Sequence, residues 1–144
     1  MQQTRDTVRG MEVWCEDRRG ERQGPSEWAY RDGTTAQRAH YREGEIDGVF
    51  ESWHPDGARR AEGRYEAGAR SGAWREWHSN GELWLDVHYA AGKAEGRWLE
   101  YDATGTLMFE GTYRAGELEG AWHAFRPGNE ELSSGTSSNG RLDG

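Results

Sequence analysis

His54 and His78 are the residues here whose type most readily suggests chemistry, as metal ligands or proton carriers. They stand 24 residues apart, at the same place in two similar segments, HPDG and HSNG. If those segments are successive hairpins, the imidazoles lie two strands apart, roughly 10 Å at ~4.8 Å per strand. A zinc ion holds each donor at about 2 Å, so the pair reads instead as polar strand ends before a turn. His40 and His88 are two such steps apart and read the same way. Cys15 is the only cysteine; with no histidine near it in sequence, a plain thiol is expected rather than a nucleophile. Carboxylates abound, but in a chain that is 31% charged their pairs describe a solvated surface. The glycines are spaced for turns, not for a strand–loop–helix phosphate cradle. The expectation is no catalytic centre, no metal and no cofactor.

Composition narrows what could hold these residues. Only 33% of the chain is hydrophobic and the mean hydropathy is −1.12. Such poverty leans toward disorder. The eight Trp and six Tyr argue the other way, for a core built of rings rather than aliphatic layers. A net charge of −8 disfavours nucleic acid and anionic lipid as partners and leaves room for a basic protein. The lone cysteine excludes an internal disulfide and suits a reducing compartment. MQQTRDTVRG has no apolar signal-peptide core, and no run nears the roughly 18 apolar residues of a membrane helix. A cytoplasmic protein is expected, with membrane association disfavoured.

The elements that position the residues are set by a repeat. From Gly24 a 24-residue step reaches Gly48, Gly72, Gly96, Gly120 and Gly144. From Gly20 it reaches Gly44, Gly68, Gly92, Gly116 and Gly140. Gly33, Gly57, Gly81 and Gly105 form a third ladder, continued by Asn129 beside Gly128, and Tyr41, Tyr65, Tyr89 and Tyr113 a fourth. Phe50, Trp74, Trp98 and Trp122 keep the same step, as do Trp53, Trp77, Tyr101 and Phe125. Leu83, Leu85, Val87 and Tyr89 alternate with polar residues, which is the pattern of a half-buried strand. HPDG, HSNG, DATG and YRDG are turn sequences for a three-residue loop, and Tyr-x-x-Gly supplies a second turn. The fold expected is all-β, a single-layer antiparallel β-hairpin repeat array of 24-residue units. Gly63, Gly111 and Gly135 should each lie bare beneath a ring from a neighbouring strand. Trp74 and Trp77 are three apart, so a bulge near Arg75 is expected to turn Trp74 onto the face of Trp77, Leu85 and Tyr89.

The organisation predicted is an atypical cap over 1–23, repeats over 24–128, and a degenerate last repeat or flexible tail over 129–144. On the polar face, the three-residue-loop register groups Glu76 with Trp84 and Asp86. One unit on, it groups Glu100 with Met108 and Glu110; one unit back, Ser52 with Arg60 and Glu62. Scattered surface apolar residues are ordinary. The alternative is a docking stripe: Trp84 and Met108 as anchors within an acidic rim of Glu62, Glu76, Asp86, Glu100 and Glu110.

The cadence carried by Gly81, Leu83, Tyr89, Gly92, Gly96, Trp98 and Tyr101, and by their 24-residue shifts over about 20–128, resembles the MORN repeat. It looks most like the bacterial variant of the YwqK-type antitoxin family. The resemblance implies a stacked hairpin sheet and, for that branch, an antitoxin, immunity or inhibitor protein holding a toxin, protease or regulator by steric masking. It also admits a lipid-associated scaffold or a self-assembling structural module.

Overall fold

The computed structural model describes residues 1–7, 10–128, 130–138 and 141–143. Among them every regular element is a strand, and sixteen strands make one antiparallel sheet that follows chain order. The first hairpins are β1 (Gln2–Thr7) with β2 (Gly10–Glu16), and β3 (Arg22–Tyr30) with β4 (Thr35–Arg42). Then one scheme recurs through β5 (Glu45–Ile46), β6 (Gly48–Trp53), β7 (Arg59–Glu66), β8 (Ala69–Arg70), β9 (Gly72–Trp77), β10 (Leu83–Ala90), β11 (Lys93–Ala94), β12 (Gly96–Tyr101) and β13 (Leu107–Arg114). Each unit has an outgoing strand, a longer return strand and a two-residue stub. In β14 (Glu117–Arg126) stub and outgoing strand fuse, before β15 (Glu130–Ser138) and β16 (Arg141–Asp143). The expected rungs at Asn129, Gly140 and Gly144 lie outside the described residues.

Two turns per unit make this sheet. The first is the expected three-residue loop: the His78 amide donates to the Glu82 carbonyl at 2.9 Å, enclosing Ser79, Asn80 and Gly81. Asn80 Oδ1 accepts the Glu82 amide at 3.0 Å, and Asp32, Asp56 and Asp102 cap their own loops in the same manner. The second turn has two residues, Ala91 and Gly92, with φ of +48° and +80°. That double left-handed turn twists as a hairpin requires, but alanine adopts it at a cost. Stacking offsets the cost. The Gly92 amide donates to the Arg70 carbonyl one unit back at 2.9 Å, and the Ala115 amide to the Glu95 carboxylate at 2.7 Å.

The bulge lies on the opposite strand from the one expected. Leu83 pairs with Trp77 and Leu85 with Glu76, so Trp84 is the extra residue and β9 itself stays regular. Two adjacent bulge residues opposite one partner project to the same side. Hence Trp74, facing Val87, joins the Leu85, Val87 and Tyr89 face. Trp77 does not: it sits on the other side, where the Arg59 guanidinium lies 5.9 Å from its ring. The same irregularity recurs at Ala36, Arg60, Met108 and Leu132, always one repeat apart.

The core is a file of rings. Trp74 is 2% exposed and Val87 fully buried, with Ala61 and Leu85 beside them and Phe50, Tyr65, Tyr89 and Trp98 packed around. Trp74 stacks on Phe50 at 5.4 Å and meets Tyr65 edge-on at 5.5 Å. A β-carbon on Gly63 would fall 2.0 Å from the Trp74 ring, and one on Gly135 at 3.0 Å from Trp122, as expected. At Gly111 the nearest atom is the Leu118 methyl at 2.8 Å, with the Phe109 ring at 3.2 Å.

Each buried indole N–H needs an acceptor. Trp14, Trp74 and Trp98 donate to the glutamate two residues on, Glu16, Glu76 and Glu100, each at 2.8 Å. After Trp122 that position is Ala124, and Trp122 Nε1 is buried without a partner. Ala124→Glu should therefore stabilise the C-terminal hairpins, by about 1 kcal/mol, read as a raised thermal midpoint. An unchanged or lower midpoint would mean the indole is already satisfied.

Candidate docking surface

The two sheet faces differ in chemistry. On the ring face, the strand bulges push one side chain per unit outward beside the hairpin loops. Trp84 is 44% exposed and Leu132 53%, with Met108 half-buried between them in sequence. Trp84 leans on His78, ring centres 5.8 Å apart. With His54, Arg60 and Glu76 these two line an open cleft of about 370 Å³. The histidines are anchors between units. His54 Nε2 lies 3.0 Å from the Trp77 carbonyl and His78 Nε2 2.9 Å from that of Tyr101. A carbonyl only accepts, so Nε2 carries the proton in both rings. Tyr30 makes the equivalent bond to Trp53 at 2.8 Å.

The opposite face is a ladder of charge. Arg75 pairs with Asp86 at 3.3 Å, Arg97 with Glu110 at 3.5 Å, Arg38 with Glu27 at 2.9 Å, and Arg59 with Glu62 and Glu51. Exposed pairs of this kind contribute little stability, typically about 0–1 kcal/mol each.

This arrangement divides the residues that the alternating pattern put together. Glu76 and Trp84 share the ring face, and by the same bulge so do Glu100 and Met108, and Ser52 and Arg60. Asp86, Glu110 and Glu62 do not border those anchors; they lie on the far face, each paired with an arginine. The expected single-face grouping is thus corrected. One extra residue per return strand reverses the side on which everything before it projects. Glu76 and Glu100 are moreover engaged by the indoles of Trp74 and Trp98.

Sequence reasoning passed over an arginine in the ring file. The Arg70 guanidinium lies 4.0 Å from the Trp74 ring centre, within hydrogen-bond reach of the Tyr65 and Tyr89 hydroxyls at 3.5 and 3.3 Å. Arg22, two repeats earlier, sits 4.9 Å from Trp14 and 5.2 Å from Tyr41, and pairs with Glu12 at 2.6 Å. The signal available was their shared repeat position. Among the described residues no group of three or more His, Cys, Asp or Glu is placed to hold a metal ion.

Recurring hairpins with this ring and glycine spacing are met in a known repeat. Residues 70–91 and 94–115 match the MORN repeat variant. These two matched stretches carry the best-buried part of the ring file, from Arg70 and Trp74 to Tyr113. The MORN repeat is a non-enzymatic module and supports a role in binding or scaffolding. A search of curated proteins finds no match. No helix among the described residues is long and apolar enough to cross a membrane.

Proposed function

We propose that the chain is a non-enzymatic binding module that masks a basic effector protein, in the manner of an antitoxin, immunity protein or inhibitor. The observation that carries this reading is the outward column Trp84, Met108 and Leu132 beside a rigid ring face. Large apolar side chains held in a fixed row on an otherwise charged sheet are suited to anchor a partner. The net charge of −8 would speed encounter with a cationic target. Inhibition would be steric: the sheet covers the effector's working surface and contributes no reaction of its own. The reading sets this encounter in the cytoplasm, away from nucleic acid and membrane.

The test is co-expression with the product of the adjacent open reading frame, followed by tagged capture. A stoichiometric complex is expected. The double variant Trp84→Asp, Met108→Asp should weaken it at least about thirty-fold, with the free chain still folded and its thermal midpoint only modestly lowered, because both side chains are partly exposed. A stable complex that ignores both substitutions, or no partner at all, would overturn the reading. One observation favours a second reading. The sheet is open, with β1 and β16 as edges, so end-to-end self-assembly by strand addition is available. Concentration-dependent light scattering by the purified chain would identify it.

A further inference from the structure

The ring file contains an internal template for a ligand. Residues 22, 46, 70, 94 and 118 share one repeat position and are Arg, Ile, Arg, Ala and Leu. Where it is arginine, the guanidinium lies on a tryptophan face: Arg70 over Trp74, Arg22 over Trp14. The phenols of Tyr89 and Tyr41 close the side, each hydroxyl within hydrogen-bond reach at 3.3 and 3.4 Å. Leu118 fills its place with an aliphatic chain that reaches the backbone at Gly111. At Ala94 the side chain is one methyl, too short to cover a ring. Yet the same residue types surround it, with Tyr113 closer to Trp98 than Tyr89 is to Trp74. Trp98 is only half-buried; Tyr113 stands 5.0 Å from it and Tyr89 6.5 Å, and Tyr89 pairs directly with Ala94. The Glu100 carboxylate is fixed at the ring edge by the Trp98 N–H. Burial first, then the Glu100 charge, holds the Tyr113 hydroxyl above its ordinary range, so this phenol stays a neutral wall. Among the described residues no cation lies over Trp98.

We propose that the notch at Ala94, floored by Trp98 and walled by Tyr89 and Tyr113, is a binding site for an arginine side chain of the partner, with Glu100 as its counter-charge. The incoming guanidinium takes the place that Arg70 occupies one repeat earlier. A planar cation over an indole with a carboxylate beside it combines π and ionic attraction. The proposal deepens the masking reading and rests on it for the occupant.

The experiment needs only the free chain. N-acetyl-arginine methylamide is titrated into labelled protein while the indole N–H signals are followed by NMR, with N-acetyl-glutamine methylamide as the neutral control. The Trp98 signal should move most, with an apparent affinity about five-fold above the control. Ala94→Arg should abolish that shift and raise the thermal midpoint, because the chain then fills its own notch. Arg70→Ala should open a second notch and make the Trp74 signal respond. Glu100→Gln should weaken the Trp98 response. Equal movement of all indoles, or a Trp98 shift that survives Ala94→Arg, would overturn the proposal. Either outcome is independent of partner capture, so failure of the notch and failure of the masking reading are told apart.

Discussion

Gly63→Ala should destabilise the protein by about 3 kcal/mol or more, although it adds a single methyl group. The added carbon would stand 2.0 Å from Trp74 Cε3 and under 3 Å from two further ring atoms. The ring has no retreat. It is 2% exposed, stacked on Phe50, edged by Tyr65, covered by Arg70 and tied through its N–H to Glu76. Elsewhere in a strand the same change is worth roughly 0.5–1 kcal/mol in favour of alanine, so the sign of the effect is diagnostic. Gly111→Ala is the internal control. Its nearest neighbour is the end of the Leu118 side chain at 2.8 Å, which can swing aside, and a smaller loss of about 1 kcal/mol is expected. Chemical denaturation followed by tryptophan fluorescence measures both. A neutral Gly63→Ala would mean that Trp74 does not lie over that backbone.

Trp74→Ala should cost more still, about 3–5 kcal/mol. The substitution removes the ring on which Phe50, Tyr65, Tyr89 and Arg70 all converge. It also strips Glu76 of its donor and leaves the Arg70 cation over a void. In an array each unit is stabilised chiefly by its neighbours, so the damage should be local before it is global. Hydrogen exchange should accelerate first in β7, β9 and β10, with the C-terminal hairpins following as a separate transition. A loss below about 1 kcal/mol, or uniform acceleration along the chain, would contradict a core centred on Trp74.

The repeat, its period and the hairpin unit were legible because glycines and tyrosines are demanded by backbone geometry at fixed steps. Gly81 closes a three-residue loop and Gly92 a two-residue one, and few residues substitute for them. The sheet therefore follows from spacing alone. Face assignment did not, and the reason is a single residue. Trp84, Met108 and Arg60 each occupy a bulge, and nothing in the letters WLDV or MFEG marks one. Strict alternation carried Trp77 to the buried side and Asp86 beside Trp84, and both are on the far side. Ala91, Ala67 and Ala115 were equally illegible, since alanine at positive φ is held by hydrogen bonds that its turn's amides donate to the preceding unit rather than by its own preference. The indole-to-glutamate bonds were readable in principle, as Trp-x-Glu recurs at 14, 74 and 98. The guanidinium over Trp74 required knowing that stub β8 folds back against β7.

The cross-unit carbonyl bonds of Tyr30, His54 and His78 all reach 23 residues ahead, and strand pairing passes over nothing but the two-residue stubs β5, β8 and β11. Among the described residues each unit is bonded to its immediate neighbours in the row. Whole periods can thus be copied or deleted without disturbing the geometry of those that remain. Length is then a freely adjustable variable, set by how many periods are strung together rather than by any feature inside one of them.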